Sequence, residues 1–235
     1  MDVAVRYRPP GGQQVLEQQP RALRGVPLEE LRSLSVVRTY RGRSGIATNW
    51  WSATTGSLVM CGTLGLQDTA MLLDLDPDVT GFASAPAEVV WSGGGRSGTI
   101  TPAFFARTVD RQRLAVMRPW RAGPDGQAEE EIMRGVAQAA HWTVTVPRLP
   151  LPVRMASLRR VARFRLPEYR CSPEARAALL EAFARPRPLV EGAAAAGQPV
   201  GRAWHLLWTG DLTADETAPL LPVSLVWAAG KDSTL

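Results

Sequence analysis

The chain has 235 residues, long enough for a sizeable core and for one or two domains. With 45% hydrophobic and 21% charged residues it reads as a folded, soluble body rather than a disordered chain, and no apolar run reaches the ~18 residues of a membrane span. The formal charge of +5 rests almost wholly on arginine, which suits nucleic acid as well as ordinary solubility, while two cysteines and two histidines exclude a disulfide framework and a zinc pattern.

Residues 1–34 are rich in Gln, Pro, Arg and Gly, lack the apolar stretch of a signal peptide and show no convincing period. They predict a flexible N-terminal arm, with a short helix over Pro27–Leu34 at most. The low cysteine content points to a reducing, cytoplasmic setting. From Val36 the pattern turns to β: Val36–Tyr40, Asn49–Ala53 and Ser57–Met60 are short and β-prone, with Gly42, Gly45 and Gly56 between them. Trp50 and Trp51 fall on opposite faces of such a strand, one of them for the core.

Leu64–Leu75 predicts a helix, its apolar stripe formed by Leu66, Ala70 and Leu73, and Pro77 stops it. Three strands are predicted next, over Ala87–Trp91, Gly98–Thr108 and Arg113–Pro119. An amphipathic helix over Ala128–Ala140 follows, with Glu129, Glu130 and Glu131 in a solvated first turn, and then a strand over Trp142–Val146. Helix, antiparallel strands, helix and strand make an α/β architecture with a mixed sheet.

The prolines of Pro147–Pro152 are the expected domain boundary. The segment Val153–Arg165 beyond them reads as a basic helix carrying Arg154, Arg159, Arg160, Arg163 and Arg165 and no acid. It suits phosphate contact and a solvated face alike. The rest predicts three helices and a hairpin: Pro173–Ala184 capped by Ser172, Leu189–Ala196 stopped by Gly197, Val200–Trp208 stopped by Gly210, then Asp211–Ala214 against Val223–Ala228. That pattern is winged-helix-like. Trp204 and Trp208 are expected in the core, and His205 between them is expected to be structural.

A set of stretches in order resembles the TnsA-like endonuclease subunits of heteromeric transposases, of the actinobacterial type. They are WWSATTGSLV (50–59), CGTLGLQD (61–68), LLDLDPDVTGFASAP (72–86), ITPAFFAR (100–107), LAVMRP (114–119), PEYRC (167–171), LLEAFARPRPLVEGA (179–193) and HLLWTGDLTADETAPLLP (205–222). The resemblance implies a restriction-endonuclease-like domain over 35–147 and a winged-helix-like domain over 148–230. It also implies partners: DNA, an integrase-type transposase and an AAA+ ATPase, with no membrane. Such a nuclease uses Mg²⁺ held by carboxylates, because a hard cation takes oxygen ligands. The family's helix glutamate aligns with Leu66, the aspartate after proline with Ala103, and the last-strand aspartate with Val116. Arg118 stands at the basic position, where arginine can balance phosphate charge but does not deprotonate to activate water. None of Leu66, Ala103 and Val116 can bind Mg²⁺, so no metal or other cofactor is expected. Asp68 is about 200° round the helix from Leu66, and Asp110 falls at a turn.

The expected function is that of a catalytically degenerate subunit that binds DNA, transposition-type partner proteins or both, with DNA contacts from Arg118, Arg154, Arg159, Arg160 and Arg163. One alternative is an active Mg²⁺-dependent endonuclease using Glu88, or acids supplied by a partner, in place of the lost ones. A second is a protein-interaction scaffold that does not touch DNA.

Overall fold

Side chains alternate over Asp2–Tyr7: Asp2 and Arg6 face solvent while Val5 and Tyr7 are buried. This stretch is strand β1 of the computed structural model, which describes residues 1–34 and 45–230. The chain falls into two units, Met1–Arg148 and Leu149–Leu235. The strand predicted over Val36–Tyr40 lies outside the described residues.

The N-terminal unit continues with β2 (Leu16–Gln18), β3 (Thr48–Ser52), β4 (Ser57–Cys61), α1 (Leu64–Leu75), β5 (Val79–Ser84), β6 (Ala87–Gly93), β7 (Arg96–Ile100), β8 (Phe104–Thr108), β9 (Arg113–Val116), α2 (Pro124–Ala140) and β10 (Thr143–Thr145). One sheet has the order β2-β1-β6-β7, a second β10-β9-β8-β5, and β3 with β4 forms a separate hairpin. In the second sheet β5, β8 and β9 are antiparallel neighbours, and β10 joins β9 in parallel after the crossover through α2. The main core lies among the two sheets and α2. Val5, Tyr7, Val89 and Ile100 come from the first sheet, Phe105 and Ala115 from the second, Met117 from just beyond β9, and Met133, Val136 and Ala140 from the helix.

The arm predicted over residues 1–34 is therefore corrected. β1 is an interior strand, antiparallel to β2 on one side and to β6 on the other. Pro20–Gly25 forms a 3-10 turn packed against α2, where Leu23 is fully buried and Arg24 donates to the Ala139 carbonyl at 3.0 Å. The short helix expected over Pro27–Leu34 is a 3-10 turn, Leu28–Glu30, with Leu28 buried. Composition averaged over the arm conceals the period of two in β1, which is what burial against a sheet requires.

Two further corrections concern strands. The single strand expected over Gly98–Thr108 is two, β7 and β8, in different sheets. The break surrounds Pro102, which has no N–H for a ladder and is itself buried. β5 was not expected at all: the turn at Asp76–Asp78 leads directly into it, and Val79 and Phe82 face inward. A register shift between Val79 and Gly81 disturbs its alternation.

Helix α1 has the predicted bounds, and the Thr63 side chain caps it by accepting from the Leu66 N–H at 3.2 Å. Trp50 is buried and Trp51 half-exposed, as a strand requires. The buried Asp74 carboxylate on α1 fastens the β3–β4 hairpin to the helix. It accepts from Trp50 Nε1 at 3.2 Å, Ser52 Oγ at 2.7 Å, and the backbone N–H groups of Ala53 and Thr54, both at 2.9 Å.

The C-terminal unit runs α3 (Pro152–Val161), α4 (Pro173–Ala182), β11 (Arg187–Pro188), α5 (Leu189–Ala195), α6 (Val200–Trp208), β12 (Leu212–Ala214) and β13 (Leu225–Ala228). Ser172 caps α4 by accepting from the Ala175 N–H at 3.2 Å. α3 is shorter than predicted: it ends at Val161, and Ala162–Arg165 continues as a 3-10 turn. The predicted hairpin of β12 and β13 gains β11 as a third strand, in the order β11-β13-β12. Trp204, Leu206, Trp208, Leu179 and Phe183 are buried in this unit. Among the described residues no helix is long and apolar enough to cross a membrane.

Candidate functional site

Ala103 sits between β7 and β8, immediately after Pro102. Its N–H donates to the Val116 carbonyl at 2.8 Å, at the end of the β8–β9 ladder where Phe104 is in register with Val116. Ala103 and Val116 are thus neighbours in space. Both are buried, Ala103 at 6% and Val116 at 0% exposure, and neither side chain carries an oxygen. Phe104 beside them meets Phe82 of β5 edge to face, with ring centroids 6.0 Å apart. Leu66 is half-buried in the first turn of α1.

This donor set does not fit Mg²⁺, which takes oxygen ligands. Among the described residues no group of three or more His, Cys, Asp or Glu side chains could hold a metal ion. The other carboxylates of this sheet and of α1 have their own places. Asp68 is buried on α1. Asp110 is exposed at the β8–β9 turn, where hydrogen bonds from Thr108 and then from Gln112 hold its pKa below the ordinary carboxylate value. Glu29 is buried and forms an ion pair with Arg107 of β8, which joins the Leu28–Glu30 turn to the sheet.

Glu88 is not brought to this place. It lies on β6, in the first sheet, opposite Arg6 of β1 and next to Ala87 and Val89, whose side chains enter the core on the other face. Arg118 is exposed beyond the last paired residue of β9, because the strand ends at Val116 and not at Pro119. Arg118 therefore lies outside the strand that carries Val116.

The other arginines singled out belong to the C-terminal unit. Arg154 is three-quarters buried and held by Glu216, an ion pair that joins α3 to the β12–β13 loop. Burial lowers its pKa, and its charge is already matched. Arg159 and Arg160 are exposed at the end of α3, and Arg163 is exposed in the 3-10 turn with its guanidinium 4.9 Å from the Phe164 ring centroid. Arg165 bends back to donate to the Ala162 carbonyl at 2.6 Å.

One cluster in this unit had no local signal in the sequence. The Phe164 ring stacks on Trp204 of α6, with centroids 5.5 Å apart and planes at 6°, and meets Tyr169 edge to face at 5.0 Å. The Phe164 carbonyl lies 2.7 Å from Nδ1 of the buried His205. A carbonyl only accepts, so Nδ1 donates and the histidine serves the packing of α6, the structural role expected for it. Compared with known proteins, the chain matches no family model and no curated sequence.

Proposed function

We propose that the chain is a catalytically inactive, TnsA-like pseudo-nuclease subunit that binds DNA together with transposition-type partners, an integrase-type transposase and an AAA+ ATPase. One observation carries the reading. The two positions that would hold metal-binding carboxylates are adjacent, backbone-paired and buried, and they are occupied by Ala103 and Val116. Side chains of this kind need no ligand, whereas two carboxylates there without a metal would repel one another.

The strand order supports the restriction-endonuclease-like part of the proposal: α1 precedes three antiparallel neighbours β5, β8 and β9, and α2 leads to the parallel β10. Helices together with a three-stranded sheet support the winged-helix-like part. The location of Glu88 in the other sheet weighs against an active site rebuilt around it.

The test incubates the purified chain with supercoiled DNA and Mg²⁺ or Mn²⁺, alone and with an integrase-type transposase, and measures metal binding by calorimetry. Duplex binding without nicking or metal uptake is the expected result. Metal-dependent nicking that vanishes in Glu88→Gln would overturn it.

A further inference from the structure

Helices α5 and α6 follow one another across a short turn, the connectivity of a helix-turn-helix, in which the second helix ordinarily enters the major groove. In this unit α6 is covered. Ala203, Trp204, His205, Leu206 and Trp208 are all buried, and the cover is the segment from α3 to Tyr169. Tyr169 packs so closely that a Cβ on Gly201 would stand 2.9 Å from its ring. The loop between β12 and β13 is equally unsuited to a polyanion: residues 215–224 include Asp215 and Glu216 and no basic residue.

The cover itself is basic. Residues 149–170 contain six arginines and one acid, Glu168. Arg154 is neutralised by Glu216 and Arg165 is turned onto a carbonyl, but Arg160 and Arg163 are exposed three residues apart, a spacing that shares one face. The stack of Phe164 on Trp204 anchors the turn that carries Arg163. A guanidinium presents a planar fork that matches phosphate oxygens two at a time.

Resting on the DNA-binding reading above, we infer that this unit meets DNA through Arg160 and Arg163 on the segment that covers α6, gripping the phosphate backbone, and that α6 reads no bases. Binding is then indifferent to sequence and dominated by counterion release.

The experiment follows fluorescence anisotropy of labelled duplexes of unrelated sequence with the full chain over a range of salt, with polyglutamate as a competitor. The duplexes should bind with affinities within a few-fold of one another. Arg160→Ala with Arg163→Ala should weaken binding and flatten the salt dependence by about 0.9 log units per log of salt for each phosphate no longer neutralised. Arg202→Ala, on α6, should leave both unchanged. Arg160 and Arg163 are exposed, and an unaltered melting temperature verifies that the double variant folds. Three results would overturn the inference while leaving DNA binding intact: an unchanged slope in the double variant, a marked sequence preference that Arg202→Ala removes, or displacement of DNA by polyglutamate as readily as by unlabelled duplex. Failure of the wild type to bind any duplex at low salt would instead remove the DNA-binding reading itself.

Discussion

The Ala103 N–H and the Val116 carbonyl are joined by a 2.8 Å hydrogen bond between two residues that expose almost no surface. Burial among apolar side chains makes the place a hostile one for a lone acid.

Val116→Asp should therefore destabilise the N-terminal unit by at least about 2 kcal/mol, since it introduces a buried group without partners. Burial raises the pKa of such a carboxyl in the folded state. A raised folded pKa means that the folded form holds the proton longer, so the deficit is smallest at acid pH and grows as pH rises through the ordinary carboxylate range. Chemical denaturation of variant and wild type at pH 4 and pH 7 checks both the size and the sign.

Asp74→Ala should be among the most damaging single changes. It leaves donors on Trp50, Ser52, Ala53 and Thr54 without their acceptor, three of them within 2.9 Å of a carboxylate that is buried. The expected loss is on the order of 3 kcal/mol, because hydrogen bonds to a charged group are strong and the orphaned donors are costly. A lower denaturation midpoint with an unchanged slope is the signature. The change should also loosen the β3–β4 hairpin, read as faster amide exchange there.

Gly192→Ala tests the packing of the C-terminal unit. A Cβ at this position in α5 would overlap the fully buried ring of Phe183. Overpacking of this kind costs about 1–3 kcal/mol. Thermal unfolding followed by tryptophan fluorescence should show a lower midpoint for the transition that reports Trp204 and Trp208.

Asp211 gives the same unit a pH dependence of opposite sense to that of the aspartate variant. Burial pushes its pKa up, but hydrogen bonds from Arg176 and Thr209 and the Arg176 charge more than offset this, and the pKa lies below the ordinary value. The contribution is present above the unfolded carboxylate pKa and is lost as pH falls through the lower, folded one. Asp211→Asn should reduce the difference in stability between pH 7 and pH 3, measured by urea denaturation.

The two thiols should separate in reactivity. Cys61 is fully buried at the end of β4, and burial pushes its pKa up to about 12. Cys171 is half-exposed, with its pKa raised more modestly by burial. A thiol reagent at pH 8 should modify Cys171 in the native chain and reach Cys61 only after unfolding, because the thiolate is the reacting form.

Elements whose signals are local were legible in the sequence. The capped helix α1, the bounds of α6 and the Ser172 cap of α4 all depend on residues within a few positions of one another. Pairing between distant segments was not legible. β1 looked like part of a polar arm because its partner β6 lies far along the chain, and β11 is too short, at 2 residues, to leave a period. The candidate site divides in the same way. The positions Leu66, Ala103 and Val116 could be picked out by spacing, but the place of Glu88 in the other sheet required the strand order. The neutralisation of Arg154 by Glu216 and the cover over α6 likewise depend on residues brought together only by folding.

The interior placement of β1 has a consequence for how the chain is made. Val5 pairs with Val89 and Asp2 with Ser92, so during synthesis β1 has only β2 beside it until β6 emerges. Synthesis proceeds at about 5–20 residues per second, which leaves that interior strand with an open edge for several seconds. Non-local pairing of this kind also slows folding once the chain is complete. Newly made chains of the N-terminal unit should thus depend on whatever shields an unpaired strand, and a fusion at Met1 should be felt in the yield of folded protein.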